Sequence, residues 1–293
     1  MFKPAAIATL LTLSVAQAMA QNAAELEQLG AENLATIYQG SMVDSSEIGV
    51  SQVGDLNTAS VAQVGETHFN VANLQQLGNA NVAAIEQTGR ANQLDAASTG
   101  NGNRLSGSQT GFAVAVVEQR GNNNRLTFSQ QGYFEGSNMN VSQDGLGNMA
   151  DIFQGDGNRM TLAQNGAYNL AEIQQSDYQN ELNFSQNGDA NRLNVDQDGF
   201  GGIITGSSSG SRNSVDIVQS FMSNQATVIQ NGTDNLASIE QANYGHQASI
   251  TQLGSANQAH ILQNMPLEDY TRLPGSATIQ QSGTGNSASI VQQ

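Results

Sequence analysis

The sequence predicts an all-β chain, folded as a two-sheet, cross-β-like β-solenoid of about twelve 22-residue turns, each running strand–arc–strand–arc. Three observations carry that prediction. The stretch Asn70–Gln87, NVANLQQLGNANVAAIEQ, holds two copies of one seven-residue phrase, Asn70–Gln76 and Asn81–Gln87. In each copy positions 1, 3, 5 and 7 read Asn, Ala, Leu or Ile, and Gln. That is the period of two of a strand with alternate side chains on one face. The phrase then recurs from Asn22 to Gln292, 24 times in all, with most closing residues 11 apart. The joining segment Leu77–Ala80 carries Gly78, free to take positive φ in a tight reversal, and an equivalent glycine follows every odd strand.

Residues 1–20 read as a secretory signal peptide. Lys3 supplies a thin positive start, Ala5–Val15 an apolar core too short to span a bilayer, and Ala18-Met19-Ala20 a small-x-small cleavage site at Ala18 and Ala20. Residues 21–293 then form the repeat domain, with an insertion at 264–274. No later stretch is apolar for long enough to make a transmembrane segment.

The two kinds of strand differ. Even strands open with Asn33, Asn57, Asn81, Asn103, Asn124, Asn148, Asn169, Asn191, Asn213, Asn235, Asn257 and Asn286. They close with Gln39, Gln63, Gln87, Gln109, Gln130, Gln154, Gln175, Gln197, Gln219, Gln241, Gln263 and Gln292. Odd strands are looser: Ser46, Ala113, Ser137, Gly202, His246 and Gly275 stand in opening places, and Ser98 and Ser208 in closing ones. Arcs after odd strands have four residues with glycine second: Gly30, Gly54, Gly78, Gly100, Gly121, Gly145, Gly166, Gly188, Gly210, Gly232, Gly254 and Gly283. Arcs after even strands vary, with Gly40–Ser45, Val64–Phe69, Gln131–Gly136 and Asn264–Pro274 lengthened. Pro266 and Pro274 both fall in the longest, where no ladder hydrogen bond is lost.

One turn cannot bury its apolar side chains; turns stacked about 4.8 Å apart, in sheets about 10 Å apart, can. Positions 3 and 5 are expected to fill the gap, with large and small residues trading within one phrase, as Leu105 with Gly107. Inward Asn and Gln are expected to pair with the same residue one turn away, since an unpaired buried amide costs a few kcal/mol. Ser98 and Ser208 should interrupt that ladder. A weak turn is expected at Gly202–Ser208, where Gly202, Gly206 and Ser208 replace three core groups. No atypical polar repeat caps either end, so the stack is set up to grow end to end.

The formal charge of −16 disfavours nucleic acid as a partner, which needs clustered Lys and Arg. Without cysteine there is no disulfide framework and no cysteine–zinc site. His68 lies in a widened arc, His260 faces outward and His246 replaces a ladder Asn; they read as spacer and surface residues, and share no face with a recurring Ser–Asp pair. Asp44, Asp156 and Asp198 lie in arcs of unequal length and repeat no calcium cage. Arg104, Arg125, Arg159 and Arg192 follow opening asparagines and should keep the outer face soluble. Scattered outward carboxylates read as gatekeepers against premature aggregation. No catalytic residue, cofactor or metal is expected, and the chain does not read as an enzyme.

The pattern NxAxIxQxGxxNxAxIxQ, in Asn70–Gln87 and again in Asn235–Gln252 with His246 in one Asn place, resembles the curlin repeat. The likeness extends over residues 22–292. Curlins are the secreted subunits of curli, the functional amyloid fibres of bacterial biofilms. The resemblance implies a self-polymerising subunit exported through an outer-membrane secretion pore and assembled with a nucleating or major partner subunit. It implies a fibre (pilus or fimbrium) attached to the cell surface, acting in adhesion and matrix scaffolding, and it makes the Gln and Asn columns above the fibre-forming residues. Two departures stand out: about twice the familiar number of repeats, and a first phrase, Asn22–Gln28, where curlins carry a non-repetitive export segment. The alternatives are a monomeric secreted β-solenoid adhesin, whose ligand would sit on the variable arcs, and the minor nucleating subunit. A carbohydrate-active β-helix enzyme is a third class.

Overall fold

The computed structural model describes residues 22–264 and 274–293. The signal-peptide reading, with Ala18 and Ala20, and nearly all of the 264–274 insertion lie outside the described residues. The chain divides after Gly147 into two compact units.

The first unit holds β1 (Ala23–Leu29), β2 (Leu34–Gln39), β3 (Val43–Asp44), β4 (Glu47–Val53), β5 (Thr58–His68), β6 (Val71–Asn79), β7 (Val82–Arg90), β8 (Gln93–Asn101), β9 (Arg104–Thr110), β10 (Val114–Asn122), β11 (Arg125–Gln131) and β12 (Asn138–Leu146). Its odd-phrase strands pair in parallel in the order β1-β4-β6-β8-β10-β12, and its even-phrase strands as β2-β5-β7-β9-β11. The second unit holds β13 (Met149–Gln154), β14 (Arg159–Ala167), β15 (Leu170–Ser176), β16 (Glu181–Asp189), β17 (Arg192–Phe200), β18 (Ile203–Ser211), β19 (Ser214–Met222), β20 (Gln225–Thr233), β21 (Leu236–Ala242), β22 (Gln247–Ser255), β23 (Gln258–Asn264), β24 (Ser276–Thr284) and β25 (Ser287–Gln292). Here the parallel orders are β14-β16-β18-β20-β22-β24 and β13-β15-β17-β19-β21-β23-β25. Each unit is thus a two-sheet β-solenoid, and every phrase of the sequence is a strand of one of the sheets.

The arcs hold more ladder than expected. Strands such as β6 run on through Leu77 and Gly78 because arcs of equal length stack in register and pair their backbone groups turn to turn. For the same reason Val64–Phe69, expected as an arc, is mostly strand. It has six residues like Gly40–Ser45 one turn earlier, and Val43 and Asp44 pair with Thr67 and His68 as the extra strand β3. The reversal draws on two residues of the arc, the glycine as expected and the last residue as well: Gly78 has φ 119° and Ala80 φ 55°, Gly188 φ 113° and Ala190 φ 56°. A non-glycine residue there costs roughly 1–2 kcal/mol, set against the hydrogen bond its N–H makes to the preceding turn, Ala80 to the Asp55 carbonyl at 2.9 Å. Gly78 is needed for its positive φ and for a second reason: a Cβ on it would collide with the Gly100 carbonyl one turn on.

Positions 3 and 5 form the core of both units, for example Ala83 and Ile85 in the first and Leu182 and Phe184 in the second. Large and small residues do trade, but between turns and not within a phrase. Gly107 lies in register with Phe128, whose ring occupies the space a Cβ at Gly107 would need. Gly206 is likewise filled by Phe184 of the preceding turn. The expected weakness at Gly202–Ser208 is therefore not a packing defect: β18 is continuous and in register with both neighbours.

Candidate functional site

The candidate site is the set of inward amides at strand ends, which period-two alternation buries with the apolar positions between them. In the first unit the Nε2 groups of Gln39, Gln63, Gln87 and Gln109 each donate to the Oε1 of the next even-strand glutamine, ending on Gln130, at 2.9–3.0 Å. In the second, Gln154, Gln175, Gln197, Gln219, Gln241 and Gln263 do the same, ending on Gln292, at 2.7–3.2 Å. The remaining amide hydrogen ties the two sheets together. Gln87 Nε2 donates to the Val71 carbonyl of the facing sheet at 2.9 Å, and Gln241 Nε2 to that of Gln225 at 3.0 Å. Every amide polar atom satisfied in this way avoids a penalty of about 1–3 kcal/mol.

The asparagine columns run with the opposite polarity. The Asn57 backbone N–H donates back to Asn33 Oδ1, Asn81 to Asn57, Asn103 to Asn81 and Asn124 to Asn103, all at 3.0 Å. In the second unit Asn169, Asn191, Asn213, Asn235, Asn257 and Asn286 each donate back to the preceding column member, starting from Asn148, at 3.0–3.1 Å. The side-chain Nδ2 also reaches an arc glycine one turn ahead: Asn57 to the Gly78 carbonyl at 2.7 Å, Asn169 to that of Gly188 at 2.8 Å. The glycine and asparagine columns are therefore one construction. Arc glycines from Gly30, Gly54, Gly78 and Gly145 to Gly166, Gly188, Gly232, Gly254 and Gly283 all have positive φ, near 110–136°.

The looser odd columns reveal what each position must supply. The Gln76 amide reaches the Thr58 carbonyl instead of Ser98, but Ser98 Oγ donates onward to Gln119 at 3.1 Å. Ser208 Oγ likewise donates to Gln230 at 3.0 Å. Each serine breaks one link and remakes the next. At the opening positions the need is an acceptor for the next turn's N–H. Ser46 Oγ accepts from Asn70 at 3.1 Å, and His246 Nδ1 from Gly275 at 2.9 Å. Ala113 and Gly202 donate their N–H groups to Asn92 and Asn180 Oδ1 but carry no side-chain acceptor for the next turn, and the buried Ser137 hydroxyl has no partner.

His246, in its ladder Asn place, is fully buried in the column. Burial pushes its imidazole below the ordinary range, opposed by a hydrogen bond with the Ala242 backbone. His260 does face outward, with Nδ1 3.3 Å from Ser238 Oγ, and His68 Nδ1 is 3.8 Å from the Asp44 carboxylate. The structure brings none of the three together with another. Burial, then repulsion from Asp198, raises the Asp196 carboxyl, whose Oδ1 is buried without a hydrogen-bond partner. Among the described residues no three His, Asp or Glu cluster as a metal site would require, and no helix is long and apolar enough to cross a membrane.

One column escaped the sequence reading. At the third arc position Asp55 Oδ1 accepts from the Ala31 N–H at 2.8 Å, Asn79 from Asp55 at 2.9 Å, and Asn101 and Asn122 from the residues a turn before them at 3.2 Å. The signal was present as the run Asp55, Asn79, Asn101, Asn122 at one arc position.

Residues 210–242, from the end of β18 through β21, match the family described as the curlin associated repeat. The chain thus carries that repeat within the amide columns of the second unit. No curated protein matches the chain.

Proposed function

We propose that this chain is a secreted, curli-type structural subunit that polymerises end to end into extracellular amyloid fibres for adhesion and biofilm matrix. The observation that carries the reading is the polarity of the columns at the first and last described turns. At the first turn, the Oε1 atoms of Gln28 and Gln39 accept nothing among the described residues, while their amides donate forward. At the last turn, Gln281 and Gln292 hold one amide hydrogen on the carbonyls of Gln258 and Ser276 and keep a second, while Asn286 Oδ1 accepts nothing among the described residues. A second copy whose β1 and β2 stack on β24 and β25 would receive both glutamine donors and return the Asn33 N–H to Asn286. The outer edges of β1, β2, β24 and β25, unpaired among the described residues, add a row of backbone bonds to the same contact. Export through an outer-membrane pore and a nucleating or major partner subunit belong to this reading, as does fibre attachment to the cell surface.

The test uses residues 21–293 diluted from denaturant, followed by thioflavin fluorescence with and without sonicated seeds, then by fibre diffraction. The expected outcome is a lag that seeds abolish, with the two cross-β reflections, one at about 4.7 Å and one at about 10 Å. A stable β-rich monomer that never seeds would overturn it. That outcome favours a monomeric surface-binding solenoid, for which the exposed Tyr178, Phe200 and Tyr244, each third in an arc after an even strand, offer a stacking surface.

A further inference from the structure

The outer face of β18, β20, β22 and β24 differs from that of the opposite sheet in its unit. Its outward columns are in unbroken register: Thr205, Thr227, Ser249 and Thr278 in one, Ser207, Ile229, Thr251 and Gln280 in the next. Thr205 and Thr227 place their hydroxyls 3.3 Å apart. No Asp, Glu, Lys or Arg occupies an outward position on these four strands. The opposite sheet carries an acidic residue on strand after strand: Glu172 on β15, Asp196 on β17, Asp216 on β19 and Glu240 on β21. At the rim, Arg212 and Asp234 cancel one another through a bidentate pair at 2.7 and 2.8 Å. Two copies of a chain with net charge −16 repel one another over most of their surface, and this face is where that repulsion is least.

We infer that this face is a self-association surface, through which fibres of this chain zip together side by side. The inference rests on the fibre reading above. Uncharged side chains repeated in register, most of them short hydroxyls, are what two sheets need to approach to about 10 Å and form a dry, interdigitated contact. Four strands of nine residues offer about 30 by 19 Å, or roughly 1,100 Å² over both partners. That lies at the lower edge of what a specific interface needs, so isolated copies should not pair stably. A fibre presents one such face per subunit, and linked weak contacts multiply.

The experiment compares wild-type fibres with Thr205→Glu/Thr278→Glu, and with Gln258→Glu/Ser289→Glu as a control that adds the same charge to the opposite sheet. Seeded thioflavin growth, fibre width by electron microscopy and low-speed pelleting are read together. The face variant should elongate within about twofold of wild type, form single fibres and pellet roughly tenfold less, while the control bundles normally. Bundling that survives in the face variant, or is lost equally in the control, overturns the inference. So do wild-type fibres that stay single yet retain a neutral polysaccharide, which would make the face a glycan surface. If no chain seeds at all, the fibre reading itself fails, and this inference with it.

Discussion

His246 shows how one residue can substitute in a repeat while keeping its task. The column needs an acceptor for the next turn's N–H, and a neutral imidazole Nδ1 supplies one to Gly275. Its partners there are Asn224, Gly275 and the Ala242 backbone, all uncharged. Protonation puts a hydrogen on Nδ1, and two donors then face each other in a buried site, at a cost of roughly 1–3 kcal/mol. The folded state holds the imidazole below its ordinary 6.5, so its contribution is fully present above that value. It is lost progressively as pH falls below about 6.5, where the unfolded chain takes up the proton first. The urea midpoint should fall between pH 7 and pH 5, and His246→Asn should remove that part of the dependence. Equal pH profiles for the two proteins would show that the imidazole is not the group responsible.

At the scale of the strand, the unit of packing is the pair of equivalent positions in adjacent turns. Phe128 over Gly107 makes a test possible. Phe128→Ala should cost about 3–5 kcal/mol by leaving a cavity, and Gly107→Phe should cost about 1–3 kcal/mol by overpacking against Phe128. The exchange Gly107→Phe/Phe128→Gly conserves volume across the two turns and should recover at least half of the larger loss in urea denaturation. A double variant no better than the worse single one would mean that the trade does not run between turns. Period two made the inward set Asn, Ala, Ile, Gln legible in the sequence, because alternation alone decides which face is buried. It could not say which large residue fills which gap, since that depends on the register between strands a full turn apart in the chain.

For the whole chain, charge opposes the proposed stacking of copies end on end. With net charge −16, end-to-end approach is repulsive at low salt. The screening length shortens from about 30 Å at 0.01 M to about 10 Å at 0.1 M salt. The unseeded lag should therefore shorten several-fold over that range, while both cross-β reflections keep their spacings. A lag insensitive to salt would place the barrier in folding of the monomer and not in encounter.

Local pattern is enough to account for the strands, their two faces, the order of the turns and the amide and glycine columns. Each of these follows from period, from the conformations glycine allows, and from the cost of burying an unpaired amide. The rest was decided by tertiary structure. The opposed polarity of the Gln and Asn columns arises because a long amide reaches forward to its neighbour while a short one sits beneath the next turn's N–H. The reversal uses Ala80 and its equivalents as well as the glycine, whose missing Cβ lets it lie close against the carbonyl of the next turn. The seating of Phe128 over Gly107 and of Phe184 over Gly206 depends on which turns lie against which. That is a property of neighbours distant in sequence, to which local pattern is blind.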